Sequence, residues 1–269
     1  MRFPLTAFLL VAASASAQSA PACVDSPFDL PALTAKAESG DPQAQLELGK
    51  YSDGAHDPER AAYWFSKSAD QGNADAEWRV ADLYAAGEGV VKDVHASLYW
   101  LRKAAENGQP QAEVVLGMNY RDGRNVERDP QKAFDWFLRA AKQGHVDAQV
   151  SVAQMYEEGD AIPRDYAQAV RWYRRAAEHV PDWGGAGVAR NSLANMYMDG
   201  LGVPQDRVTA YMYFALSNSA SNMKWAASKM TVSQVAEGQR RAKEWIDKHP
   251  AQPECTNLRQ QTTAAMAHD

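Results

Sequence analysis

Apolar positions along the chain recur in a helical rhythm. Around Ala76 the apolar residues Ala76, Val80, Ala81 and Tyr84 fall at i, i+4, i+5 and i+8, one face of a 3.6-residue period. The run stops at Gly87, a residue that accepts the left-handed conformation closing a helix. A short polar stretch leads to Asp93, whose carboxylate suits it to cap the next helix. That second helix carries Trp100 and the small pair Ala104-Ala105 and ends at Gly108. The pattern predicts a helix A, a turn and a helix B.

The same unit returns along the chain, which makes repetition the first-order feature of the sequence. Trp64, Trp100, Trp136 and Trp172 stand 36 residues apart, and Tyr213 follows. Asp57, Asp93, Asp129, Asp165 and Asp206 each precede one of these aromatics by seven residues. Tyr-x-x-Gly stops recur at Tyr51/Gly54, Tyr84/Gly87, Tyr120/Gly123, Tyr156/Gly159 and Tyr197/Gly200. Pro58 and Pro130 are placed for the first helical position, where the missing N–H costs nothing. The tryptophans are read as core, packed between helices that the alanine pairs bring close together.

These residues resemble the Sel-one-like repeat family, a branch of the tetratricopeptide-type helical solenoids. Unit 2 carries the resemblance most fully, with Ala76, Tyr84, Gly87, Gly89-Val90, Asp93, Trp100-Leu101, Ala104-Ala105 and Gly108. The implied fold is all-α, a right-handed α-solenoid of stacked helix-turn-helix repeats. Its units are expected at 44–75, 76–111, 112–147, 148–188 and 189–222, the fourth carrying a Gly-rich loop. A capping helix is expected over 29–43 and another over 223–249, where Thr231 and Gln234 form a capping box. The latter should bury Val235, Ala242, Trp245 and Ile246 on one side. Unit 1 is four residues short between Ala44 and Trp64, which trims either its A helix or its turn.

Residues 1–17 read as a secretory signal peptide ending Ala15-Ser16-Ala17, with flexible tails at 18–28 and 250–269. A periplasmic or secreted protein is therefore expected, without a membrane span and monomeric. The formal net charge of −6 argues against nucleic acid as a partner. Cys23 and Cys255 flank the repeats; an intramolecular disulfide, an intermolecular one and free thiols all remain open.

Candidate chemistry is sparse. The six histidines share no ligand spacing, so neither a metal nor a cofactor is expected. Ser221 and Lys224 match S-x-x-K, but S-D-N and K-T-G are absent. Cysteine-rich secreted members of the resembled family have been described as binding or hydrolysing β-lactams; each of their repeats holds a cysteine pair, which this chain lacks. The expected function is a non-catalytic interaction module of the cell envelope. The alternatives are an enzyme acting on β-lactams or cell wall and a glycan- or peptidoglycan-binding module.

If the A helices line the concave face, as in related solenoids, their non-packing positions form a groove. Leu46, Lys50, Val114, Val150 and Asn191 are assigned to it, with Trp78, Asp82, Met118, Gln154 and Asn195. Asp53, Asp122, Glu157, Glu158 and Asp199 add acids near the ends of these helices, and Trp183 lies in the Gly-rich loop. Acids there oppose the helix macrodipole, so stability does not account for them. An acidic groove with apolar spots at Trp78 and Met118 suits a basic or amphipathic segment of a partner protein.

Overall fold

The computed structural model describes residues 29–179 and 185–250. Helix α1 (Leu30–Glu38) precedes five A/B pairs. These are α2 (Pro42–Gly54) with α3 (Pro58–Ala69), α4 (Ala74–Ala86) with α5 (Val94–Glu106), and α6 (Pro110–Asp122) with α7 (Pro130–Lys142). They continue as α8 (Val146–Glu158) with α9 (Tyr166–Ala177) and α10 (Ala186–Asp199) with α11 (Arg207–Leu216). Two more helices follow, α12 (Ala220–Ala227) and α13 (Val232–Lys248). The described residues contain no strand. Each A helix packs on its own B helix and on the B helix before it, and α8 also touches α10. The result is a stack of helical repeats.

The turn between A and B is tied at both ends. Gly87, Gly123, Gly159 and Gly200 close the A helices in the left-handed conformation, with φ of 83°, 70°, 73° and 73°. The aspartates cap the B helices, each carboxylate accepting a third-residue N–H at 3.0–3.1 Å. The N–H groups of Asp93, Asp129, Asp165 and Asp206 donate back to the carbonyls of Tyr84, Tyr120, Tyr156 and Tyr197. Each turn is thus a closed hydrogen-bonded loop.

Unit 1 departs in its turn, and its helix keeps full length. Asp57 N–H donates to the carbonyl of Ser52, so Ser52 occupies the position of Tyr84, and Tyr51 does not. Gly54 lies inside α2, and the left-handed residue is His56 at φ 58°.

Packing depth also differs from the expectation. Trp64 and Trp172 are buried, and Trp100 and Trp136 are half-buried against the core clusters. Lys103 lies 4.6 Å and Arg139 4.4 Å from the latter two rings. The deepest aromatic stands one residue later, as Phe65, Phe137, Tyr173 and Phe214. Two of these rings are seated on glycines of the A helix. A Cβ on Gly49 would fall 2.5 Å from the Phe65 ring, and one on Gly117 2.8 Å from the Phe137 ring. In unit 2 the pair is instead Ala81 with Leu101, joined in one cluster.

At the C-terminus the single capping helix expected over 223–249 is two helices, α12 and α13, broken at Ser228–Thr231. The capping box at Thr231 and Gln234 opens α13. Gly238 and Ala242 form the buried side of α13, with Gly238 against the Tyr211 ring, whereas Ile246 is 55% exposed.

Candidate functional site

The A helices do not leave Leu46, Val114 and Val150 on the groove face expected of them. Leu46, Val114 and Val150 are 1%, 5% and 6% exposed and belong to the core. Trp78 and Met118 are half-buried and pack against core clusters. The reason is that an A helix is flanked by two B helices and buries more than one stripe of its surface. In α2, Ala44 and Leu48 join a cluster with Ala37 of α1 and Trp64 of α3, while Leu46 joins the cluster of α3 and α4.

The polar half of the row divides in two. Asp122 accepts from Arg121 Nε at 2.8 Å and pairs with Arg124 at 3.2 Å. The hydrogen bond from Arg121 holds its carboxyl below the usual range. Glu157 accepts the Tyr173 hydroxyl at 2.8 Å, and burial pushes that phenol well above its ordinary value. Both acids are satisfied within the fold. Asp82, Glu158, Asn195 and Asp199 are exposed, Gln154 is half-buried, and Asp82, Glu158 and Asp199 form no ion pair among the described residues. Trp183, Cys23 and Cys255 lie outside the described residues, as do the leader and most of both tails.

A second row of polar residues escaped the reading of the pattern. The residue after the register alanine of each A helix is Gln45, Glu77, Glu113, Gln149 or Arg190, and all five are buried. Gln71 donates to Gln45, Asn107 to Glu77 and Gln143 to Glu113, each at 2.8 Å. Arg139 lies 3.0 Å and Lys103 3.8 Å from the Glu113 and Glu77 carboxylates. Gln45, Gln149 and Arg190 also donate to the carbonyls of Ala37, Ala141 and Ala177. The signal was the invariable polarity of one position beside the alanine. A lone polar residue on a helix is ordinarily assigned to solvent.

Burial pushes the Glu113 carboxyl above its ordinary value of 4.5, opposed by the Arg139 guanidinium and the Gln143 amide. A carboxyl whose folded pKa is raised gives its full contribution below the unfolded pKa and loses it as pH rises through the folded one. Glu113→Gln should remove this loss and flatten the dependence of stability on pH. Urea unfolding between about pH 4 and 7 checks it, and a steeper decline in the variant would contradict the assignment.

Two surface pockets, of about 350 and 310 Å³, lie between a B helix and the following turn. The first is lined by Arg102, Tyr120, Arg128 and Lys132, the second by Tyr63, Lys67, Asp70 and Val90. Neither contains a residue of the A-helix row. Among the described residues, no group of three or more His, Cys, Asp or Glu is placed to hold a metal, and no helix is long and apolar enough to cross a membrane.

The Sel1 repeat family model matches residues 42–73, 74–109, 110–145, 146–179 and 187–222. No curated protein matches the chain. Among solved structures, the chain is similar to a protective antigen of uropathogenic Escherichia coli displaying an SLR fold. Identity is 31% and the TM-score 0.67, over 80% of this chain and 48% of that one, so the chain spans about half the antigen's length. It is similar also to a Sel1 repeat protein from Oxalobacter formigenes, with 26% identity and a TM-score of 0.65 over 80% of this chain and 92% of that one. Five matched units, stacked as A/B pairs with capped turns, place this chain in the Sel1 repeat family.

Proposed function

We propose that the chain is a non-catalytic interaction module, periplasmic or secreted, whose A-helix row binds a basic segment of a partner protein. The observation that carries this reading is the unpaired state of Glu158 and Asp199. Each is the last residue of its A helix, where a carboxylate faces the negative end of the helix dipole. Each is exposed and without an ion pair among the described residues. At Asp199 this is a cost in the free protein that a cationic ligand would relieve, whereas at the end of α8 the Arg164 guanidinium already donates to the Glu158 carbonyl and leaves the carboxylate outward. Because Trp78 and Met118 pack inward, the row lacks the apolar anchors expected earlier. Binding dominated by charge is fast to form and sensitive to salt.

Crosslinking in the native host followed by mass spectrometry would identify the partner. The purified complex can then be titrated against Asp82→Asn/Glu158→Gln/Asp199→Asn. Affinity should fall about tenfold at low salt, with a flatter salt dependence. Unchanged affinity and salt slope would remove the A-helix row as the site.

A further inference from the structure

We infer that the outer face of α9 is a second docking surface, of opposite sign, that takes an acidic segment of a partner protein. Arg171, Arg174 and Arg175 stand at i, i+3 and i+4, on one helical face, and all three are exposed. Helix α9 contains no acidic residue, while its partner α8 carries Asp147, Glu157 and Glu158 and no basic one. Unit 4 therefore turns acids outward on one helix and arginines on the other.

The cluster is peculiar to this unit. The corresponding positions hold Tyr63, Ser66 and Lys67 in unit 1, and Tyr99, Arg102 and Lys103 in unit 2. They hold Asp135, Leu138 and Arg139 in unit 3, and Met212, Ala215 and Leu216 in unit 5. Units 2 and 3 also neutralise the last of these cations, since Lys103 and Arg139 lie against buried Glu77 and Glu113. In unit 4 the equivalent buried residue is Gln149, which leaves Arg175 without a carboxylate. Arg175 is held over the Trp172 ring at 4.7 Å, and Arg174 donates to the Tyr197 hydroxyl. Two guanidinium groups are thus oriented by neutral partners and form no ion pair among the described residues.

Guanidinium forks pair bidentately with carboxylates, and a cluster one helical turn long matches carboxylates spaced by one turn. A protein segment fits better than a polyanion. Asp165 caps the start of α9 and Glu178 its end, so the positive surface is bounded and does not form the long basic strip that nucleic acid requires. The inference is independent of the A-helix row.

A fluorescein-labelled peptide of about twelve glutamates serves as probe, with the full chain titrated at low salt by fluorescence anisotropy. Arg171→Gln/Arg174→Gln/Arg175→Gln should weaken binding about tenfold or more. Arg171→Gln/Arg174→Gln, which keeps the stack on Trp172, should show most of that loss with an unchanged circular dichroism spectrum. Asp82→Asn/Glu158→Gln/Asp199→Asn should bind the peptide at least as well as wild type. Failure of wild type to bind, or binding by both arginine variants as tight as that of wild type, overturns the proposal. Arginine-dependent binding of duplex DNA or phosphatidylglycerol vesicles in preference to the peptide overturns the assignment of a protein segment.

Discussion

Truncation of Phe137 to alanine should lower the free energy of unfolding by about 3–5 kcal/mol. The ring is fully buried in a cluster that joins residues of α6 through α10. It lies against Gly117, which has no side chain to move into the void. Trp136→Ala, one residue away, should cost less, because that indole is only half-buried and partly covered by the Arg139 guanidinium. Urea unfolding followed by circular dichroism distinguishes them, and a larger loss from Trp136 would reverse the assignment of the core. The same contact has a converse. Gly117→Ala places a Cβ 2.8 Å from the Phe137 ring and should cost about 1–3 kcal/mol by overpacking. Adding Phe137→Leu, which copies the Ala81 and Leu101 pair of unit 2, should recover part of that loss.

Gly89→Ala should be nearly as damaging, although it adds a single methyl group to a surface turn. Gly89 has φ 65°, which costs an L-residue about 1–2 kcal/mol. Its Cβ would fall 2.0 Å from the carbonyl oxygen of Pro58, at the start of the preceding B helix. Backbone on both sides leaves nothing flexible to yield, so the turn must lift from α3. Gly202 makes the same approach to the Tyr166 carbonyl at the start of α9, three units further on, at 2.3 Å. Each substitution should lower stability by about 2 kcal/mol or more, with faster amide exchange in its own turn. Gly87→Ala is the control, since its Cβ would meet the Lys92 side chain at 3.0 Å. Equal effects at Gly87 and Gly89 would show that conformation alone, without the contact between units, sets the cost.

Helix starts and stops were legible because they depend on neighbours in the chain. The aspartate caps and left-handed glycines of units 2 to 5 stand where the period puts them. Depth was harder to read, because it depends on what crosses from another helix. Repetition drew the eye to Trp100 and Trp136, yet Leu101 and Phe137 are the buried members of each pair. Leu46, Val114 and Val150 fall on an open face only if an A helix buries a single stripe, and each of these helices buries more. Tyr51 corresponds to Tyr84 by residue type, whereas the backbone hydrogen bond selects Ser52. Of the candidate site, the exposure of Asp82, Glu158 and Asp199 was readable from the pattern. The internal pairing of Asp122 and Glu157 was not, since Arg124 reaches Asp122 from the turn and Tyr173 reaches Glu157 from the neighbouring helix.

Near-identical units face a hazard during folding, because a helix pair can dock one place too early or too late along the array. The buried polar row discriminates against such mistakes. Docking α10 in the place of α6 would bring Arg190 against Arg139, two cations where a carboxylate belongs. Docking α6 in the place of α10 would turn Glu113 toward the carbonyls of Ala177, His179 and Leu216, which Arg190 otherwise serves as donor. Both errors strand charge in a buried position, at a cost that the correct order avoids. The differences at this one position thus act as addresses that set the arginine unit apart from the glutamate and glutamine units.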